Sequence, residues 1–272
     1  MKLRFRRLAG ASLLLLAVAG TITCAPQTSQ EEVVVFGAAS LRDALVEVGV
    51  AFRRETSLTP VFSFAGSNVL ARQLEAAPLG DVFLSANERW MDFLEERGLL
   101  VPESRRPVLS NELALIIHRD APWNVDGVAW LGDGPYRHLA LADPDSVPAG
   151  QYAKGYLQAV PWGKTDASLW QAVAGRVAPA ANVRAALALV EADPEIVGMV
   201  YQTDAQTSDR VRIAHRVAAG QAPRILYPAA AIAGSPNPAG AGRFLEFLSS
   251  EAAGEIFAAH GFAPVSDGMG IR

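Results

Sequence analysis

The stretch "VVVFGAASLRDALVEVGVAFRRET" (33–56) changes its period part-way along. Its first five residues form a β-branched and aromatic run, suited to a strand buried on both faces. From Leu41 onward the apolar residues Leu41, Ala44, Leu45, Val48 and Phe52 recur at helical spacing. Between the two lie small residues and one serine. The arrangement then repeats: "PVFSF" (60–64) reads as a strand, and "NVLARQLEAA" (68–77) as a helix entered through "AGS". A third unit joins "DVFLS" (81–85) to "NERWMDFLEERG" (87–98), where Asn87 caps the helix and Gly98 stops it. Three successive strand–helix units predict an α/β fold, a parallel sheet covered by helices.

The middle of the chain repeats this style from a fresh start. "ELALIIH" (112–118) and "HLALAD" (138–143) read as strands, joined by the Trp/Gly/Pro-rich "APWNVDGVAWLGDGP". Helices follow at "QYAKGYLQAV" (151–160), "SLWQAVAGRV" (168–177) and "NVRAALALVEAD" (182–193), and strands at 195–201 and 211–217. Residues 224–234 are extended, and 239–262 are helical with a break near Ser249–Ser250. Two runs of this size predict two α/β lobes, each a mixed, mostly parallel sheet flanked by helices, with a cleft between them. We place residues 33–109 and 234–272 in the first lobe and 110–233 in the second. The last helices then return to the first lobe, and a chain that crosses twice makes a hinge.

Residues 1–23 read as a secretory signal. "MKLRFRR" is its basic start, and the 15-residue apolar run "LAGASLLLLAVAGTI" is shorter than a membrane-spanning helix needs. Small residues lead to Cys24, the only cysteine, which stands where a lipoprotein is cleaved and acylated. Residues 24–32 are then a linker or lipid tether, and the membrane is reached only through that anchor. The protein is expected to be exported, to the periplasm or the outer face of the cytoplasmic membrane. Removing residues 1–23 removes four cations and no acid, which takes the formal charge from −4 to −8. Such a chain has no footprint for nucleic acid and no overall field to attract an anion.

Familiar catalytic and metal signatures are missing. The four histidines (His118, His138, His215 and His260) lie far apart, with no cysteine or acid at metal-ligand spacing. No HExxH, CxxC or Walker loop occurs, and neither Ser40 nor Ser67 sits in a GxSxG elbow. We therefore expect no enzyme and no cofactor. What the chain does offer is a set of strand-to-helix junctions. Ser40 and Ser67 each stand at a helix start, where a hydroxyl either caps its own helix or shares the helix end with a ligand. In open α/β sheets, ligands bind at the carboxyl ends of the strands, where both serines lie. "VPAGQYAK" offers Ala149 and Gly150 behind Pro148, "PAANVRAAL" offers an opening at Asn182–Val183, and Tyr201 ends a strand with a hydroxyl. Singly, each is an ordinary structural feature. Together they describe an oxyanion held by neutral donors from both lobes.

Six segments in this order carry a specific resemblance: "VFGAASLRDAL", "SFAGSNVLARQLE", "GDVFLSANERWMDFL", "ADPDSVPAGQYAK", "NVRAALALVE" and "GMVYQTDA". From about Val33 to Phe262 the chain resembles the periplasmic molybdate-binding proteins of bacterial molybdate ABC importers. The resemblance implies the two-lobed, type II-like periplasmic-binding-protein fold. It also implies a receptor for molybdate and tungstate that acts as a monomer, delivers to an ABC importer permease and uses no charged ligand side chain. Carried over by position, the ligand residues are Ser40 and Ser67 through hydroxyl and backbone N–H, Ala149 and Val183 through backbone N–H, and Tyr201 through its hydroxyl. Molybdenum is then held only as its oxyanion. Asn68 is a candidate additional donor, and Arg72, one turn further on, is expected to be solvated. Two alternatives stay open: a receptor for sulfate or another tetrahedral oxyanion, and an exported hydrolase with Ser40 or Ser67 as nucleophile.

Overall fold

The computed structural model of the protein describes residues 32–163 and 166–265. The expected signal segment, Cys24 and all of the tether except Glu32 lie outside the described residues. The first part of the chain runs β1 (Glu32–Ala38), α1 (Arg42–Thr56), β2 (Thr59–Ala65), α2 (Ser67–Ala76), β3 (Val82–Leu84) and α3 (Glu88–Glu95). These are the three units read from the sequence, with bounds shifted by three residues at most. A short 3-10 turn, Ala39–Leu41, leads from β1 into α1. Next come β4 (Arg106–Asn111), β5 (Leu113–His118), α4 (Trp130–Asp133), β6 (His138–Ala142), α5 (Pro148–Ala159) and α6 (Leu169–Val173). The chain continues through β7 (Val177–Ala180), α7 (Val183–Ala192), β8 (Ile196–Tyr201), α8 (Gln202–Gln206) and β9 (Val211–Arg216). It closes with β10 (Ile225–Ala231), α9 (Pro238–Leu248), α10 (Glu251–Ala259) and β11 (Ala263–Pro264).

The strands form two sheets, ordered β11-β4-β10-β3-β1-β2 and β7-β6-β8-β5-β9. Each sheet has two characters. β2, β1 and β3 are parallel in the first, and β7, β6 and β8 in the second. The remaining pairs are antiparallel, so the parallel character is confined to about half of each sheet. The junctions that carry Ser40, Ser67, Ala149 and Val183 belong to the parallel halves, and the chain crosses between lobes on the antiparallel strands.

The crossings correct two expected boundaries. β4 ends at Asn111 in the first sheet and β5 begins at Leu113 in the second, so the first crossing falls two residues beyond the expected 109. The second differs by a whole strand. β10, expected in the second lobe, pairs with β3 and β4 of the first, so the return crossing lies between Arg216 and Ile225 rather than near 233. Six of the seven residues of β10 are buried, and such a run carries no period that says which sheet it joins. The expected helix over 168–177 also ends early, at Val173, and Val177–Ala180 becomes an edge strand. Pro179 is tolerated there because one side of an edge strand needs no donor.

The return of α9 to the first lobe is driven by aromatic burial. Phe52 of α1 meets Phe244 of α9 edge-on at 5.1 Å, and Phe247 at 5.5 Å. Phe52 and Phe244 are fully buried. Fully burying side chains of this size stabilises the fold by roughly 1.5–3 kcal/mol each.

Candidate functional site

All five residues named from the sequence line one cavity between the lobes: Ser40, Ser67, Ala149, Val183 and Tyr201. They reach it from the carboxyl ends of five strands. β1 delivers the turn that carries Ser40, β2 ends one residue before Gly66 and Ser67, and β8 ends on Tyr201 itself. In the second lobe, β6 leads to α5, and β7 leads to α7. The free space is about 10 Å³, the scale of a single water and far too small for a sugar or peptide. Among the described residues no charged side chain lines it, and apart from Asn182 the rest of the wall is small or apolar, including Ala39, Gly66, Ala86 and Pro148.

Four helical starts converge here. Each leaves its first-turn N–H groups without intrahelical acceptors and presents the positive end of its dipole. Neither serine caps its own helix. Gly66 is the N-cap of α2, so Ser67 is its first helical residue, and Ala38 precedes the turn that holds Ser40. Asn182 caps α7 by accepting from the Ala185 N–H, and α5 begins with Pro148, whose missing N–H costs nothing at that position. Gly150 has a steric role. A Cβ there would lie 2.0 Å from the carbonyl oxygen of Ala142, so only glycine lets α5 approach β6 this closely.

The hydroxyls are arranged as donors. Ser67 Oγ accepts from the Ala86 N–H at 2.9 Å, which leaves its own proton free to point elsewhere. Ser40 Oγ lies 3.2 Å from the Tyr227 hydroxyl. The Tyr201 hydroxyl is fully buried and has no hydrogen-bond partner among the described residues. Burial first, then the neighbouring phenols of Tyr227 and Tyr152 and the carboxyl of Asp204, push its pKa well above the ordinary tyrosine value. It is a neutral hydroxyl with no acceptor in hydrogen-bond geometry among the described residues.

Two further expectations resolve away from the cavity. Asn68 does not line the cavity, and its Nδ2 donates to Ser146 Oγ across the lobes at 3.1 Å. Its Oδ1 is buried without a partner. Arg72 holds its guanidinium 5.6 Å from the rings of Trp90 and Phe93, on an aromatic surface rather than in the cleft. The lobes are joined around the site by other pairs. Trp90 Nε1 donates to the Ser146 carbonyl at 2.8 Å, and Asn87 Nδ2 to Gln151 Oε1 at 3.0 Å. These bonds bridge the first lobe to the second, so the cleft is closed.

The histidines stay apart from the cavity. His118 accepts from the Asp120 N–H, and His260 pairs with Glu47 at 2.9 Å. Among the described residues, no group of three or more His, Cys, Asp or Glu could hold a metal ion, and no helix is long and apolar enough to cross a membrane.

Residues 33–263 match the model of the bacterial extracellular solute-binding proteins. The chain belongs to this family. This solute-binding protein is 36% identical over 236 residues to the molybdate-binding protein of Haemophilus influenzae, covering 85% of the present chain and 90% of the relative. It is 34% identical over 258 residues to the molybdate-binding protein of Escherichia coli, covering 93% and 95%. Among solved structures, the periplasmic molybdate-binding protein of Azotobacter vinelandii has the same fold, with a TM-score of 0.72 at 22% identity over 85% of this chain and 98% of that one. The two-lobed architecture expected from the resemblance is therefore the architecture of the family, whose members are transport receptors.

Four residues near the site received no role from the sequence. Tyr227 and Asn111 contact Ser40 directly and at one remove. Arg184, next to Val183, reaches Asp43 of the first lobe, and the fully buried Asp204 pairs with it. The only local signal was the position of Arg184 and Asp204 inside the "NVR" and "VYQTDA" segments. For Tyr227 there was none, because its strand had been placed in the other lobe.

Proposed function

We propose that the protein is an extracytoplasmic receptor that captures molybdate, and tungstate with it, and delivers it as a monomer to an ABC importer permease. The observation that carries this reading is the Tyr201 hydroxyl, buried and without a hydrogen-bond partner among the described residues, at a cavity on which helical starts converge and which no charged side chain of the described residues lines. A tetrahedral dianion supplies the missing acceptors. Ser40 and Ser67 donate hydroxyl and N–H, Ala149 and Val183 donate N–H, and Tyr201 donates its hydroxyl. Each charge-assisted bond in a dry site contributes roughly 1.5–3 kcal/mol. Donors alone also disfavour a protonated oxyanion, whose own O–H needs an acceptor. Similarity to the two molybdate-binding relatives favours molybdate within the oxyanion class.

Sulfate has the same shape and charge, so the choice between them rests on cavity size. Calorimetry of the mature chain decides it: strong binding of molybdate and tungstate with weak or no binding of sulfate is expected, and tight sulfate binding without molybdate heat overturns the assignment. The hydrolase reading has little support, since Ser40 bonds to Tyr227 and Ser67 to the Ala86 N–H rather than to a histidine base. Export follows from the family, and we further propose a lipid anchor at Cys24. Metabolic labelling with a fatty acid, lost on Cys24→Ser, is the expected result.

A further inference from the structure

We infer that Tyr227, oriented by Asn111, is a positioning residue that forces Ser40 to donate its hydroxyl proton into the cleft. This inference rests on the oxyanion reading of the site. The proton directions follow one from the next. Asn111 Oδ1 accepts from the Glu112 N–H at 2.9 Å, and a backbone N–H can only donate, so the amide has a single orientation. Its Nδ2 must then donate, and it does so to Thr203 Oγ1 at 2.9 Å and to the Tyr227 hydroxyl at 3.2 Å. The Tyr227 oxygen is thereby an acceptor. Of the two hydroxyls beside it, Ser40 Oγ stands in hydrogen-bond geometry and that of Tyr201 does not, so its one proton goes to Ser40 Oγ. Tyr227 is 1% exposed, so water offers no alternative. Ser40 has accepted and is left with one proton to give, toward the cavity that it lines.

The chain of bonds has the same logic as the Ala86 N–H at Ser67, where a fixed donor occupies the serine oxygen from behind. At Ser40 the fixed donor is remote. It begins on Asn111, the last residue of β4 at the first crossing between lobes, and passes through β10 just after the second. The orientation of the ligand-facing proton is therefore set from the hinge. Tyr227 itself touches no ligand; its ring is held edge-on by Tyr201 and Phe262 at 5.8 and 5.6 Å.

The test is a double-mutant cycle read by molybdate calorimetry on the mature chain. Tyr227→Phe keeps the ring and its packing and removes only the hydroxyl. In the wild-type background it should weaken molybdate binding about tenfold, the size of one oriented hydrogen bond. In a Ser40→Ala background it should weaken binding by less than about twofold, because the proton it orients is gone. Asn111→Ala, which removes the first donor, should show the same background dependence and serves as the second variant if Tyr227→Phe does not fold. Equal losses in both backgrounds would mean that Tyr227 merely supports the fold, and unchanged affinity in the wild-type background would mean that Ser40 is oriented without it; either overturns the inference. A wild-type chain that binds no molybdate overturns the functional reading and this inference together, whereas a wild type that binds with an additive cycle overturns the inference alone.

Discussion

Arg184 of the second lobe places its Nη2 2.6 Å from Oδ2 of Asp43 in the first. Arg184 follows Val183 at the start of α7, and Asp43 follows Ser40 by three residues at the start of α1. The ion pair thus ties together the two helical starts that bring Ser40 and Val183 to the cavity from opposite lobes. Arg184 also places its Nε 2.5 Å from Asp204 Oδ1 and donates to Thr207 Oγ1. Its charge is directed to these partners behind the cavity, which keeps the cleft itself neutral.

Because the Asp43 side chain is 43% exposed, solvent screens the latch and its contribution to closure is small. Asp43→Ala should weaken ligand binding about two- to fivefold at low ionic strength and less at high salt. Calorimetry at two salt concentrations checks this. A loss that does not change with salt would assign the effect to packing rather than charge.

Asp204 makes stability depend on pH in an unusual direction. Complete burial pushes its pKa up to about 6, with Arg184 pulling partly the other way. The folded carboxyl therefore binds its proton more tightly than the unfolded one. Its stabilising contribution is full below about pH 4 and is lost as pH rises through 6. Asp204→Asn removes the titration. Between pH 4 and pH 7, the wild type should lose on the order of 3 kcal/mol relative to this variant in urea unfolding. A constant difference across that window would show that Asp204 stays ionised throughout.

Ser67 differs from Ser40 in what its loss leaves behind. Ser67→Ala removes a proposed ligand donor and also strands the Ala86 N–H, which Ser67 Oγ now satisfies. We expect a loss in binding of about 1.5–3 kcal/mol, together with about 1–3 kcal/mol of ligand-free stability. Paired measurements of affinity and thermal midpoint separate the two. A variant of wild-type affinity would reduce Ser67 to a structural acceptor.

Gly66 lies where the lobes approach each other. A Cβ there would sit 2.5 Å from Asn68 Oδ1 and 3.1 Å from the carbonyl oxygen of Ala181 in the second lobe. Its φ of −60° is open to any residue, so the obstacle is contact and not backbone strain. Gly66→Ala should weaken ligand binding about tenfold or more by opposing closure, while the ligand-free thermal midpoint changes by only about 1–2 °C. Retained affinity would show that Asn68 and the Ala181 loop yield at little cost.

The sequence by itself determined the strand–helix units and the junctions that reach the cavity, because both are local, and the family resemblance singled out the five residues at those junctions. A change of hydrophobic period marks where a strand hands over to a helix, and in a parallel α/β layer every such handover faces the same edge of the sheet. Ser40, Ser67, Ala149, Val183 and Tyr201 are all within a few residues of such a point. Only the tertiary structure decided which sheet takes β10, and with it the meaning of Tyr227. The bonds from Ser40 to Tyr227 and from Asp43 to Arg184 join residues 187 and 141 positions apart. No local pattern encodes such pairs, since each side chain would be equally at home in a strand or helix without its partner. The serines of "GAASL" and "AGSNV" are thus placed by their own neighbourhoods, while the partner that Ser40 meets, Tyr227, is one that only folding brings to it.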